Sequence, residues 1–213
     1  MTAAPEEGAR RPYRSSRRQE QAAQTRALVL AAATSLFADR GWSATGMRDV
    51  AKAAGVAVET VYASFGSKTD LLLTAIDVGV VGDAEPVPLS QRPEFAALGD
   101  GSTIDRIDAA ARLLTAINRR TWGLRRALTE AAGSEPQLAA KLRELESRRR
   151  DNIRQGVEMV VGSTVEDDVL DGLWVIMGAD AFSLLTQVGG RPVEEYERWL
   201  ASTIRRVLTH DGT

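Results

Sequence analysis

Apolar residues recur with helical spacing along most of the chain, and no stretch alternates as a β-strand would. In the segment 45–73, two short periodic stretches are separated by Gly55, and a third begins at Ser67. The first stretch has apolar residues at i, i+3, i+4 and i+7, which form one face of a helix about two turns long. These residues are Met47, Val50, Ala51 and Ala54. Gly55 supplies the permissive backbone that a sharp turn between two helices requires.

The stretch 58–64 predicts a second short helix with one buried and one exposed side. Val61 and Phe65 are expected to point inward, and four residues outward. The outward residues are Thr60, Tyr62, Ala63 and Ser64. A longer apolar stripe precedes this pair and ends at Gly41, a predicted helix C-terminus. The stripe consists of Val29, Ala32, Ala33, Leu36 and Phe37. Together these features predict a helix-turn-helix, in which the second helix enters the DNA major groove.

The rest of the chain also predicts helices, so the fold class is all-α. Residues 67–70 form a capping box that starts a fourth helix, which is expected to run to Val81 and to be the only connection between two domains. A Pro/Gly-containing loop follows, with a short helical turn near Phe95. Further helices are predicted over 103–118, 120–132, 134 or 135 to 161, 164 or 166 to 188, and 192–209. The predicted domains are a disordered basic arm (1–20), a three-helix DNA-binding domain (21–67) and a larger helical domain (68–213).

Two predicted helices near the C-terminus are apolar over most of their circumference. They cover residues 169–188 and 196–208. A helix of this kind must be buried on more than one side. The pair therefore predicts a homodimer that associates through a four-helix bundle. The alternative is a larger core within a single domain.

Charge is distributed unevenly along the chain. The net charge of −2 argues against a nucleic-acid partner when the chain is taken as a whole. Residues 1–68, however, hold 10 lysines and arginines against 6 acidic residues, whereas residues 69–213 hold 17 against 23. The basic part coincides with the predicted helix-turn-helix, as attraction to phosphates requires.

Other features of the composition indicate a cytoplasmic protein that does not enter a membrane. The chain has no cysteine, so it has no disulfides, which fits a reducing cytoplasm. No run of about 18 apolar residues predicts a membrane span. Residues 1–20 are rich in arginine and lack the apolar core of a secretory signal.

The helix-turn-helix segment and the helix before it resemble the DNA-binding domain of the TetR family of transcriptional regulators. The residues that carry the resemblance are Leu36, Phe37, Gly41, Thr45, Val50, Ala51, Ala54, Gly55, Val56, Thr60, Val61, Tyr62, Phe65, Ser67, Lys68, Leu71 and Leu72. The resemblance implies a dimeric regulator of transcription, expected here to be a repressor that binds a palindromic operator in double-stranded DNA. It also implies release from DNA by a small-molecule effector, which should be small and largely apolar.

The resemblance assigns possible DNA contacts. Residues facing the bases or the groove wall are expected to be Val58, Glu59, Thr60, Ala63 and Ser64. Arg48 occupies a position that can reach a guanine, Tyr62 and Lys68 correspond to residues that hold phosphates, and Thr45 lies near the backbone. The alternative for each is an ordinary solvated side chain. Ala57 stands where a hydroxyl usually caps the recognition helix, and Glu59 where a neutral or basic residue is commoner.

The larger domain is expected to hold the effector. Candidate ligand-binding residues are Phe95, Leu113, Ile117, Trp122, Met159, Trp174 and Met177, each of which also fits an ordinary core. Arg149 or Asp180 could meet a polar group of the ligand, although Arg149 also fits a solvated face and Asp180 a contact across the dimer. The arm arginines, namely Arg10, Arg11, Arg14, Arg17 and Arg18, fit either a DNA contact or a solvated tail.

The sequence offers little from which to build an enzyme. The only histidine is His210, close to the end of the chain. No nucleophile–base–acid set, metal-ligand spacing or phosphate-binding glycine loop is present, so no catalytic residue, cofactor or metal is predicted. The functional alternative to a regulator is an orphan dimerisation or protein-binding module without ligand control.

Overall fold

The computed structural model describes residues 12–210, with side chains described for residues 17–209. Within this range every regular element is helical, which confirms the all-α prediction. The helices are α1 (Pro12–Arg40), α2 (Met47–Ala54), α3 (Val58–Phe65), α4 (Lys68–Val81), α5 (Pro93–Ala96), α6 (Thr103–Ser134), α7 (Pro136–Val161), α8 (Asp167–Ile176), α9 (Ala179–Ser183) and α10 (Val193–His210). Short 3-10 turns (Leu89–Gln91 and Ala97–Gly99) flank α5, and a π-helical turn (Leu184–Val188) extends α9.

The fourth helix begins as its capping box predicts. Ser67 is the N-cap, and its hydroxyl oxygen accepts a hydrogen bond from the Asp70 N–H at 3.0 Å. The same hydroxyl donates to the Asp70 carboxylate at 2.6 Å. Gly82, with a φ of 97°, ends the helix in the left-handed conformation that glycine adopts without a steric penalty.

The first helix begins earlier than predicted. It starts at Pro12, a residue that suits the first turn of a helix because the missing N–H has no partner there in any case. The prediction of a disordered arm is therefore corrected for residues 12–20. The predictions on Arg10 and Arg11 lie outside the described residues, as does the side chain of Arg14.

The helix α6 replaces the two helices predicted over 103–118 and 120–132. No glycine or proline separates the two stretches, and Arg119 and Arg120 are good helix formers. The helix therefore continues for 32 residues along the larger domain. The consecutive polar residues Asn118, Arg119 and Arg120 interrupt the apolar pattern without interrupting the helix.

The helix predicted to end at Val188 is interrupted at Gly178, which has an extended backbone (φ −79°, ψ 161°). Side chains from other helices bind the carbonyls next to the interruption. Asn118 Nδ2 donates to the Met177 carbonyl at 3.1 Å, and Arg149 Nη1 donates to the Trp174 carbonyl at 3.0 Å. These long-range partners offset the lost helical hydrogen bonds.

The core of the predicted DNA-binding domain extends into the larger domain. Residues of α1–α4 form one buried cluster together with five residues from α6 and α7. The five are Leu124, Ala127, Leu128, Ala131 and Leu138. Contact between α1 and α6 is close, because a methyl group built on Gly123 would lie 2.7 Å from the Ala38 Cβ. The expectation that α4 alone joins the domains is therefore wrong, since α1 also packs on α6.

One segment of the described residues, Asp167–Val188, has the length and mean hydropathy (1.5) of a possible membrane span. A single segment of this kind is weak evidence, because core helices of soluble proteins pass the same test. The helix within this segment is interrupted at Gly178, and the segment contains the charged residues Asp171 and Asp180. Its apolar surface is more simply explained by packing against protein.

Candidate DNA interface and effector cavity

The helix-turn-helix has the predicted geometry. Gly55 lies between α2 and α3 with a φ of 70°, in the left-handed region. Met47 and Val50 of α2 and Val61 and Phe65 of α3 are buried in the shared core. As the sequence predicts, the N-cap Ala57 makes no side-chain hydrogen bond, so this helix lacks a cap that commonly contributes about 1 kcal/mol.

Only some of the predicted DNA contacts on α3 are exposed. Glu59, Tyr62 and Ala63 are exposed, and Tyr62 retains 51% of its surface. Thr60 and Ser64 are half-buried, and so is Val58, which packs against the core. Arg48 is exposed on α2. An exposed arginine and an exposed phenol can both donate hydrogen bonds to a base edge or a phosphate.

Two predicted DNA contacts point into the protein. Thr45 is 1% exposed, and its hydroxyl donates to the Leu36 carbonyl at 3.1 Å. Lys68 Nζ donates to the Trp42 carbonyl at 2.6 Å and lies 3.9 Å from the centroid of the indole ring. Burial lowers the pKa of Lys68, and the nearby Glu135 and Glu130 partly oppose this. In this structure both side chains stabilise the turn between α1 and α2.

Arg26 fixes the end of the recognition helix and was missed in the sequence. Its Nη1 donates to the Ser64 carbonyl, and its guanidinium lies 4.1 Å from the centroid of the Phe65 ring. A cation at a helix C-terminus also interacts favourably with the helix dipole. The only available signal was a positive charge beside the apolar stripe of α1, which does not reveal its partner.

Glutamates of the larger domain hold the turn between α1 and α2. The Glu130 carboxylate accepts from the Trp42 N–H at 2.9 Å and from the Ser43 N–H at 3.0 Å. Glu135 accepts from the Trp42 indole N–H at 2.9 Å. Hydrogen bonds from Ser43 and Trp42 keep the pKa of Glu130 below its ordinary value, and Lys68 adds to this effect. The DNA-binding region is thus attached to α6 by polar contacts as well as by packing.

A cavity of about 350 Å³ lies in the larger domain, within the size range of small-molecule sites. Its wall contains four of the seven predicted ligand-binding residues, namely Phe95, Leu113, Ile117 and Met177. The other three lie outside the wall. Trp122 and Met159 are half-buried against the core. Trp174 stacks 5.3 Å from the Arg149 guanidinium, with an indole N–H that is buried and has no partner.

Charged side chains concentrate at one part of the cavity wall. Arg125 Nη1 lies 2.5 Å from Glu146 Oε1, and Arg149 Nε lies 2.8 Å from Glu146 Oε2. Arg125, Arg148, Arg149 and Asp77 line the cavity, whereas Asp180 is exposed and is not part of the wall. Burial lowers the pKa of the Arg125 guanidinium, and Glu146 partly opposes this.

Burial also raises the pKa of Asp77, against the effect of Arg148. Arg149 is a predicted ligand contact, whereas Arg125 and Asp77 have no counterpart among the predicted residues. Nothing in their local sequence indicates that α4, α6 and α7 bring these groups together. Among the residues whose side chains are described, no cluster of three or more His, Cys, Asp or Glu side chains is arranged to hold a metal ion.

A glycine-linked helix pair with an exposed second helix defines a helix-turn-helix DNA-binding protein. Residues 29–75, from the middle of α1 into α4, match the family model of bacterial regulatory proteins of the tetR family. The resemblance of this segment to the TetR family is thereby confirmed, and residues 29–75 form a DNA-binding domain of that family.

Similar solved structures extend the comparison to the whole fold. A TetR-like transcriptional regulator from Rhodococcus sp. RHA1 is 21% identical with a TM-score of 0.62, covering 87% of this chain and 96% of the other. A putative TetR-family transcriptional regulator from Mesorhizobium loti MAFF303099 is 21% identical with a TM-score of 0.61, covering 88% and 96%. At these identities the likeness concerns the fold. No curated protein sequence matches the chain.

Proposed function

We propose that this regulator is a cytoplasmic, homodimeric repressor that a small, largely apolar effector releases from a palindromic operator. One observation carries the proposal: α6 both lines the cavity and packs on the DNA-binding domain. Leu113, Ile117 and Arg125 of α6 contribute to the cavity wall. Between Ile117 and Arg125, Gly123 lies against Ala38 of α1. An effector in the cavity therefore contacts a helix that supports the helix-turn-helix.

The DNA contacts in this proposal centre on the exposed face of α2 and α3. Arg48 donates to a base edge and Tyr62 to a phosphate, while the other exposed or half-buried residues of α3 lie along the groove. These are Val58, Glu59, Thr60, Ala63 and Ser64. Thr45 and Lys68 act through the turn that they stabilise, because their polar atoms already bind the Leu36 and Trp42 carbonyls.

Exposed apolar side chains near the C-terminus support a homodimer. Val175, Leu184 and Val188 retain 63%, 62% and 76% of their surface. Leu184 and Val188 are four residues apart on the π-helical turn that extends α9. Large exposed apolar side chains that lie close together, as Leu184 and Val188 do, are typical of a protein interface. Because dimer interfaces of this kind are isologous, the same surface of each copy would form the bundle.

Effector control follows from linkage between two binding equilibria. An effector can release DNA only by binding more tightly to a dimer whose recognition helices do not fit successive major grooves. Both α4 and α6 line the cavity and contact the core of the DNA-binding domain. A shift of either helix therefore changes the position of α3. The expected direction of control is repression without effector and release with it.

The DNA proposal is tested by selecting bound sequences from random double-stranded DNA with the full chain. A palindromic site is expected. Recovery of no palindrome would favour the alternative of a dimerisation or protein-binding module without ligand control, and would reject the proposal.

Substitutions then locate the contacts on the selected site. Arg48→Ala is expected to weaken binding by about 1–3 kcal/mol if the arginine reads a base. Tyr62→Phe, which removes only the hydroxyl, is expected to cost about 1 kcal/mol for all sequences. Arg112→Ala removes an exposed arginine of α6 and serves as the control, with unchanged affinity expected. Full affinity of both interface variants would contradict this assignment of contacts.

The dimer proposal is tested separately by light scattering coupled to size exclusion. The wild-type chain is expected to elute at twice the chain mass, and the Leu184→Glu, Val188→Glu double variant as a monomer. Ile104 provides a matched control because it is 55% exposed and lies at the start of α6. Ile104→Glu is expected to leave the dimer intact. A wild-type monomer would refute the proposal.

A further inference from the structure

The cavity joins a large apolar wall to a small group of cations. The apolar part of the wall includes Phe95, Leu98, Leu113, Ile117, Ile153 and Val157. Three arginines line the same cavity, namely Arg125, Arg148 and Arg149. A site with this distribution fits a ligand that has an apolar body and one charged end.

Two of the arginines share one carboxylate. Glu146 accepts from Arg125 through Oε1 and from Arg149 through Oε2, so each of its oxygens binds one guanidinium. The side chains of Arg125 and Arg149 are only 13% and 20% exposed. Two cations against one anion leave a positive charge in a poorly solvated place, which is unfavourable until a further anion compensates it.

Other acidic groups do little to compensate the excess positive charge of Arg125 and Arg149. Asp180 is exposed and has the smallest of the effects that act on Arg125. Asp77 also lines the cavity, but the cation whose charge acts on it is Arg148. Arg148 itself is 60% exposed, so solvent already screens much of its charge. The excess therefore lies at Arg125 and Arg149.

We propose that the effector is an amphipathic anion whose carboxylate-type head group binds Arg125 and Arg149 while its apolar body fills the rest of the cavity. The inference rests on the proposed function, because it names the chemical class of the effector that occupies the same cavity. A planar guanidinium offers several N–H donors in a fork that matches a carboxylate. Arg125 binds Glu146 through Nη1, and Arg149 uses Nε and Nη1, so both guanidinium groups retain N–H donors for a ligand.

The head group would bind close to the contact between the domains. Arg125 follows Gly123, which lies against Ala38, and precedes Arg126, whose Nη2 donates to the Ala38 carbonyl at 2.7 Å. Arg149 also binds the Trp174 carbonyl at the interruption before Gly178. An anion that binds Arg125 and Arg149 therefore contacts α6 and α7. Through the bond from Arg149 to the Trp174 carbonyl, it also acts next to Val175 of the proposed dimer surface.

The test compares ligands that share one body and differ in the head group. Decanoate, 1-decanol and decylammonium are titrated calorimetrically into the full chain at neutral pH, below the concentrations at which they aggregate. Decanoate is expected to bind at least about tenfold more tightly than the alcohol, which corresponds to about 1.4 kcal/mol. Decylammonium is expected to bind most weakly. Equal or tighter binding of the alcohol or the ammonium, or binding of none of the three, would overturn the inference.

Variants assign the preference to the arginine pair. Arg125→Met is expected to remove the tenfold preference for decanoate over decanol, whereas Arg125→Lys, which keeps the charge, is expected to retain part of it. Arg112→Met changes an exposed arginine of the same helix outside the cavity wall and should keep the full preference. Circular dichroism checks that each variant is folded. Retention of the preference in folded Arg125→Met would reject the assignment, and the ligand series on the wild type decides the inference even if that variant does not fold.

The two proposals fail in different ways. Selection of an operator needs no ligand, so a recovered palindrome together with tighter binding of decanol rejects the anionic head group and leaves the DNA proposal standing. Conversely, tight decanoate binding that does not release the selected DNA supports the head group and contradicts effector control.

Discussion

The close contact between α1 and α6 can be tested by adding a single methyl group at Gly123. In Gly123→Ala the new Cβ would lie 2.7 Å from the Ala38 Cβ and 2.8 Å from the Ala38 Cα. Carbon atoms pack best at about 3.5–4.0 Å, so the helices must separate by roughly 1 Å. One of the opposing atoms belongs to the backbone, which prevents relief by a change of rotamer.

The expected change in stability has two opposing parts. Overpacking in a close contact costs about 1–3 kcal/mol. Replacing glycine by alanine inside a helix contributes up to about 1 kcal/mol in the opposite direction. Gly133→Ala is expected to show the gain in helix propensity without overpacking. Gly133 lies in the same helix, and a Cβ built on it meets nothing within 4 Å. The variants should therefore differ by about 1–3 kcal/mol, with Gly123→Ala the less stable.

Thermal unfolding followed by circular dichroism measures this difference. For a chain of this size, 1 kcal/mol corresponds to about 2–4 °C, so Gly123→Ala should melt about 2–12 °C below Gly133→Ala. Protein concentration is kept equal because association raises the melting temperature. Equal melting temperatures would show that the helices are not in close contact at Gly123, and would remove the main support for communication through α6.

Two further predictions concern polar contacts of α6. Asn118→Leu leaves the Met177 carbonyl without its donor and should destabilise the fold by about 1–3 kcal/mol in urea titrations, whereas the exposed Asn152→Leu should change stability by less than about 0.5 kcal/mol. Equal effects would contradict the role of Asn118. Because the pKa of folded Glu130 lies below its ordinary value of 4.5, its charge contributes stability above that pH, and the contribution is lost as the pH falls through the folded value. The advantage of wild type over Glu130→Gln should thus shrink in acid, and a pH-independent difference would refute this origin.

Sequence patterns predicted the parts of the DNA-binding domain that depend on neighbouring residues. Gly55 permits the turn, Ser67 caps the helix that follows, and the apolar spacing places Val61 and Phe65 inward. Each of these features is settled within about one helical turn, which is the distance over which periodicity and capping act. The family resemblance draws on the same local pattern.

The candidate sites were only partly predictable. Phe95, Leu113, Ile117 and Met177 do line the cavity, but the same apolar pattern also selected Trp122, Met159 and Trp174, because periodicity indicates burial and not the empty space next to a side chain. Lys68 matched a phosphate contact by sequence, whereas the fold directs it to the Trp42 carbonyl.

By itself the sequence determined that this chain is helical and that residues 29–75 form a DNA-binding domain, because spacing, glycine placement and capping are local properties. The tertiary structure alone decided that α6 is continuous and that α8 stops where Asn118 and Arg149 bind the Met177 and Trp174 carbonyls. It also decided that Arg125 and Arg149 line one cavity and share Glu146 as their ion-pair partner. The physical reason is that these features depend on partners far apart in the chain. Hydrogen bonds and charges between such partners form only when the helices pack, so no local pattern encodes them.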